Sequence, residues 1–261
     1  MFLDFRQQAY HPIPSRTNNL VPCARAKSPD SRGILCFLYF FSPCPRLSLG
    51  QGNMRKEIFV ANEYYHIYNR GVDKRDVFLN DRDRTRFINT AYVLNGFLEI
   101  PHRFDLQSLT PREWLKSRKQ PMVEIAAGCL MPNHFHFLMT PLQDDGISKF
   151  LHKLSVSYTM YFNKRYERSG SLFESTFKAK HVDKHEYASY LTQYIHLNPL
   201  DLFQTKSRTE QIEAVRNFPW SSLPDYLGKN SRLSLLLSAS FRDNILDMNV
   251  EEYEKSVLDL V

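Results

Sequence analysis

MVEIAAGCLMPNHFHFLMT, residues 122–140, decides how this chain folds. Two apolar runs, 122–131 and 134–140, flank Pro132-Asn133. That dipeptide punctuates the chain as a turn, so the runs read as the two strands of a hairpin. Successive side chains on a strand point to opposite faces. On the second strand Phe135, Phe137 and Met139 therefore point into a core, while His134 and His136 share the opposite, open face. Residues i and i+2 on a strand lie about 6.6–6.8 Å apart, close enough for two imidazoles to lean onto one ion. Neutral imidazole is a ready ligand for Mn, Zn, Fe, Ni or Cu. The same pattern also fits a half-buried strand with two polar residues turned to water.

Outward from the hairpin, YYHIYNR (64–70) is aromatic and β-rich and reads as a strand. Asn80 or Asp81 caps a helix over DRDRTRFINTAYVLNGF (81–97). ISKFLHKLSVSYTMYFNKRYER (147–168) carries Ile147, Phe150, Leu151, Leu154, Tyr158, Tyr161 and Phe162 at helical spacing, and SGS ends it. LFESTFKAKHV (172–182) reads as a fourth strand, and HEYASYLTQYIHLN (185–198) as a helix stopped by Pro199. The order β-α-β-β-α-β, then a helix, predicts an α+β ferredoxin-like fold with an antiparallel sheet. Residues 98–119, with Pro101 and Pro111, read as a loop or insertion.

Residues 1–53 break with this pattern. They scatter Pro, Ser and Arg without periodicity and hold Cys23, Cys36 and Cys44. MRKEIFVANEYYHIYNRGV, from Met54, reads like a protein beginning. We expect a non-conforming extension over 1–53, with Met54 as the true start or the extension as a flexible arm, and a domain over 54–204. Residues 205–261 contain the turn-rich FPWSSLPDYLG (218–228) and the helical EEYEKSVLDLV (251–261), and read as a helical tail packed on the domain.

Composition narrows the function classes. Hydrophobic residues make up 43% and aromatics 13%, which excludes wholesale disorder. Of the formal charge of +6, +4 sits in residues 1–53, so any basic surface in the domain must be local. Beyond residue 53 there is one cysteine, Cys129, and no disulfide framework, which points to a reducing compartment. The run ILCFLYFF (34–41) falls short of the about 20 apolar residues of a membrane helix and sits too deep for a signal peptide. No membrane partner is expected.

A second constellation lies in LTQYIHLNP. Tyr194 and Asn198, at i and i+4, fall on one helix face. Beside a metal, an amide oxygen can complete the coordination, and a phenolate can attack a phosphorus whose oxygens the ion polarises. A phenol with a free pKa near 10 needs that cation close by. The bland alternative makes Tyr194 a core aromatic and Asn198 a helix cap. Tyr187 and Tyr190 share the Tyr194 face and are its rivals, while His196, about 200° round the helix, is expected to be exposed. His66 and Glu174 are candidates for a supporting shell. Tyr158, Tyr161 and Tyr166 fall on the apolar stripe of the long helix and read as packing. Cys129 with His134 and His136 could instead make a structural zinc site, but a fourth ligand is lacking.

YYHIYNRGV, MPNHFHFLM, YFNKRYERSGSLFESTFKAK and YLTQYIHLNP, in that order, make the chain resemble the HUH single-tyrosine transposases, particularly the REP-associated type. The resemblance covers about residues 58–200. It implies His134 and His136 as ligands of a divalent ion, Mg or Mn, with Asn198 assisting and Tyr194 as nucleophile. It implies a single-stranded DNA endonuclease and strand transferase with a 5′-phosphotyrosine intermediate, acting on single-stranded or hairpin DNA, as a monomer or a homodimer, in the cytoplasm. The alternative is a domesticated relative that binds structured single strands without cutting. Arg70, Lys178 and Lys180 are the candidate phosphate contacts. Residues 1–53, 98–119 and those beyond 200 match nothing in the family pattern.

Overall fold

In the computed structural model the described residues are 58–96, 120–183, 185–240 and 248–261. The chain divides into two units, Met1–Gly52 and Asn53–Val261. The expectations for 1–53 and 98–119 lie outside the described residues.

Four strands form one sheet: β1 (Tyr64–Arg70), β2 (Val123–Met131), β3 (His134–Pro141) and β4 (Lys178–Val182). Their spatial order is β2-β3-β1-β4, and every neighbouring pair is antiparallel. Helix α1 (Asp81–Leu94) connects β1 to β2, and α2 (Gly146–Arg165) connects β3 to β4. This is the split βαβ arrangement the element order predicts. Asn80 caps α1 by accepting from the Asp83 amide. Phe135, Phe137 and Met139 sit in a core with Tyr65, Ile67, Phe87, Phe150 and Leu154, so α1 and α2 cover one face of the sheet. On α2 the three tyrosines fasten the layer: Tyr158 donates to the Val77 carbonyl at 2.6 Å, while Tyr161 and Tyr166 donate to buried Asp83 at 2.9 and 2.7 Å.

The face bearing His134 and His136 is not open. Helix α3 (His185–Leu197) lies over it and buries Ala188, Leu191 and Ile195 against Ala127, Leu138 and Val182. The last helical turns tighten into a 3-10 stretch, Asn198–Leu202, with Pro199 in its first turn. The tail then adds α4 (Arg208–Arg216), the single turn α5 (Leu223–Tyr226) and α6 (Val250–Leu258). Segment 218–238 runs along the outer edge of β2: Leu130 donates to the Trp220 carbonyl, Ser222 to that of Gly128, and Ser238 to that of Ile125. These bonds cover an edge whose unpaired backbone groups would otherwise meet water.

One expected element is shorter than its sequence. Residues 172–177 are not strand; β4 begins at Lys178. The Asn69 amide donates to the carbonyls of Ser175 and Thr176, and the Glu174 amide donates to Arg70. Those bonds wrap the segment round the end of β1, with Leu172, Phe173 and Phe177 buried beneath it.

Candidate active site

The register of the sheet builds the site. Tyr68 lies opposite His136, Arg70 opposite His134, and on the other side Lys180 and Lys178 lie opposite His66 and Tyr68. His66, Tyr68, Arg70, His134, His136, Lys178 and Lys180 therefore share one face by strand alternation. α3 hands Tyr194 to the same spot. Its ring meets those of His136 and His66 edge-on, with centroids 5.9 and 6.2 Å apart, and it stays 36% exposed.

The third histidine, His66, is the residue that sequence reasoning underrated. Its Nε2 lies 2.8 Å from His136 Nδ1, in a bond that both buried rings share. The only signal was its place two residues before Tyr68 in the aromatic first strand. Burial, joined by the Lys180 charge, pushes His66 down to about 4. Burial holds His136 well below the ordinary histidine range, with the charges of His66, His134 and Arg70 adding to it. Burial also lowers His134. All three are thus neutral near pH 7, the form that binds metal.

A hydrogen bond fixes which His134 nitrogen is open. His134 Nδ1 lies 2.5 Å from Asn133 Oδ1, which can only accept, so Nδ1 carries the ring proton and Nε2 keeps its lone pair. The Asn198 amide nitrogen donates to the Tyr194 carbonyl at 2.9 Å, and the rest of that side chain reaches the His134 ring. A neutral His134 has no second proton for an Asn198 oxygen. The His134 Nε2 and the Asn198 oxygen are both acceptors, a pair that a cation would satisfy. Where His136 Nδ1–H is the donor in its bond to His66, His136 Nε2 is the free lone pair. Two imidazole nitrogens and an amide oxygen suit a divalent ion.

Tyr194 is a reluctant acid here: burial raises its pKa, and Asp201, Tyr68, Tyr190 and Tyr187 raise it further. Tyr187 and Tyr190, two turns and one turn before Tyr194 along α3, stack on each other with centroids 6.3 Å apart. His196, expected to be exposed, is fully buried. Its Nδ1 pairs with the Tyr253 hydroxyl and its Nε2 with that of Ser222, each at 2.7 Å, because the tail packs on that side of α3. Cys129 lies opposite His136 and is fully buried, which pushes its thiol pKa up. Among the described residues no cluster of three or more His, Cys, Asp or Glu could hold a metal, so the oxygen of Asn198 matters to any site here.

The candidate phosphate contacts line one side. Arg70 Nε is buried without a hydrogen-bond partner among the described residues. Lys178 lies over Tyr68 and 3.9 Å from Glu174, and Lys180 lies over Tyr187. Glu174 therefore serves Lys178 rather than the histidines.

Residues 112–198, a third of the chain, match the model of the family described as "Transposase IS200 like". Over this segment the chain is similar to the IS200-like transposases. It takes in His134, His136, Tyr194 and Asn198 and leaves out β1, with His66 and Arg70, and the tail. The chain is also similar to a solved structure described as a REP-associated tyrosine transposase bound to a REP hairpin. That likeness has 12% identity and a TM-score of 0.43, covering 77% of this chain and 93% of the other. The strand order and register above define the fold. No curated protein matches the sequence. No helix among the described residues is long and apolar enough to cross a membrane.

Proposed function

We propose that this protein is a divalent-metal-dependent endonuclease and strand transferase for single-stranded or hairpin DNA, with Tyr194 as nucleophile. The carrying observation is the convergence of the Tyr194 ring on His136, with Asn198 at its foot reaching His134. The IS200-like family match over the same residues supports it.

His134 and His136 would hold Mg or Mn through Nε2, with the Asn198 oxygen. The ion would polarise the phosphate oxygens and favour the phenolate. Tyr194 Oη attacks the phosphorus and the bond from phosphorus to the 3′ oxygen breaks. The departing 3′ oxygen takes up a proton, the one the phenol gives up in the net reaction. The 5′ phosphate stays on Tyr194, and attack by a new 3′-hydroxyl reverses the step and joins strands. Because burial raises the Tyr194 pKa, the phenol is idle until a cation and a phosphate are both in place. Arg70, Lys178 and Lys180 hold the backbone of the DNA. The compartment that fits is the cytoplasm, where Cys129 stays reduced.

The test is covalent capture. Labelled single-stranded hairpin oligonucleotides with Mn are expected to give a protein–DNA band on a denaturing gel, lost in Tyr194→Phe and in His136→Ala. Tight binding with no adduct across a broad oligonucleotide set would make the chain a non-cleaving binder.

A further inference from the structure

Beside the reacting group, α3 presents a second aromatic feature that the chemistry leaves unused. Tyr187, Tyr190 and Tyr194 recur at three and four residues and fall on one helix face. Tyr190 is 46% exposed, more than Tyr194 itself. Tyr187 lies behind it, nearly parallel at an interplanar angle of 28°, and its other side packs on the core beneath α3. Tyr187 also positions a cation. The Lys180 ammonium sits 5.2 Å from its ring centroid and donates to its hydroxyl at 3.2 Å. Two residues before Lys180 and on the same face, Lys178 is 55% exposed and lies over Tyr68. Tyr190, Tyr187 and Tyr68 are all close enough to Tyr194 to bear on its ionisation, so the aromatic row and the two lysines are continuous with the site.

We propose that Tyr190, backed by Tyr187, is a stacking platform for an unpaired base of single-stranded DNA next to the phosphate that Tyr194 attacks, with Lys180 on the adjoining backbone phosphate. An exposed ring whose stacked neighbour Tyr187 holds a lysine matches the two needs of single-strand binding, a π-face for the base and a positive charge for the backbone. A duplex offers no free base face there. The choice of DNA as partner rests on the nuclease reading; the platform itself does not need cleavage to occur.

The experiment measures binding alone. Full-length protein carrying Tyr194→Phe, so that nothing is cut, is titrated by fluorescence anisotropy against a labelled single strand and against its duplex, at several salt concentrations. Adding Tyr190→Ala is expected to weaken single-strand binding roughly 5- to 150-fold, to leave the salt slope unchanged and to spare the duplex. Tyr190→Phe is expected to bind within about twofold of the parent, because the ring face and not the hydroxyl makes the contact. Lys180→Gln is expected to flatten the slope of log K on log salt by about 0.7, the share of one phosphate on a single strand. Unchanged single-strand binding by Tyr190→Ala, equal losses in Phe and Ala, or an equal loss on the duplex would each overturn the platform. The two readings fail separately. An adduct-forming wild type with Tyr190→Ala at parental affinity sinks the platform only, and a selective Tyr190→Ala loss without any adduct sinks the nuclease only.

Discussion

Acidification loads a proton onto the unfolded chain that His196 in the native protein refuses. The ring is wholly buried between the Tyr253 and Ser222 hydroxyls, and burial alone pushes its pKa down to about 3, against 6.5 in an unfolded chain. Above pH 6.5 neither state is protonated and His196 adds no pH dependence. Between pH 6.5 and 3 the unfolded state binds one proton more than the native state, so stability falls as pH falls, by about 1.4 kcal/mol per pH unit. From pH 7 to pH 4 this one residue removes about 3 kcal/mol, a large part of a typical 5–15 kcal/mol of net stability. Buried His66 and His136, shifted in the same direction, steepen the fall further. The assay is urea unfolding followed by tryptophan fluorescence at half-unit steps from pH 7 to 4.5, for wild type and His196→Gln. The glutamine variant starts less stable, but its curve should be shallower by about 1.3 kcal/mol per unit between pH 5.5 and 4.5. Parallel curves would mean that native His196 titrates like an exposed histidine, and would refute the buried network that fixes α3 to the tail.

Three further outcomes follow from specific contacts. Asp83→Asn should cost about 1.5–3 kcal/mol in denaturant melts, because its buried carboxylate accepts from Tyr161, Tyr166 and the Leu79 amide and lies 3.6 Å from Arg165; an unchanged midpoint would show that this clamp of α1 to α2 is idle. Gly128→Ala should cost about 1–3 kcal/mol in the same measurement, since a Cβ there would lie 2.7 Å from the Phe137 ring and 3.0 Å from Leu233. His66→Gln should weaken Mn binding about 10- to 100-fold by calorimetric titration, because it loosens the ring that His136 presents; wild-type affinity would leave His66 a packing residue.

The hairpin was legible in sequence because strand alternation and a Pro-Asn turn are local signals, and His134, His136, Tyr194 and Asn198 do meet. The apolar stripe of α2 read correctly for the same reason. What sequence missed depends on partners far along the chain. LFESTF was read as strand from its apolar residues, but the Asn69 side chain takes its carbonyls from 106 and 107 residues away. His196 was read as exposed from its helical angle, which was sound for α3 alone. The tail supplies Tyr253 and Ser222, 57 and 26 residues later, and turns that face into an interior. The histidine face was read as open for a related reason, since alternation gives the face of a strand but not the element that covers it. His66 becomes part of the site only through the β1–β3 register, which no single segment encodes.

The most direct test of the central claim is the position of the DNA on the protein. Trypsin cutting after Lys184 and Lys206 releases residues 185–206, which contain Tyr187, Tyr190 and Tyr194 and no other tyrosine. Mass spectrometry of this peptide from the Mn-dependent adduct, trimmed by nuclease, should show a 5′-linked nucleotide, and fragmentation should place it on Tyr194. A nucleotide on Tyr190 or Tyr187, or an adduct outside this peptide, would contradict the account.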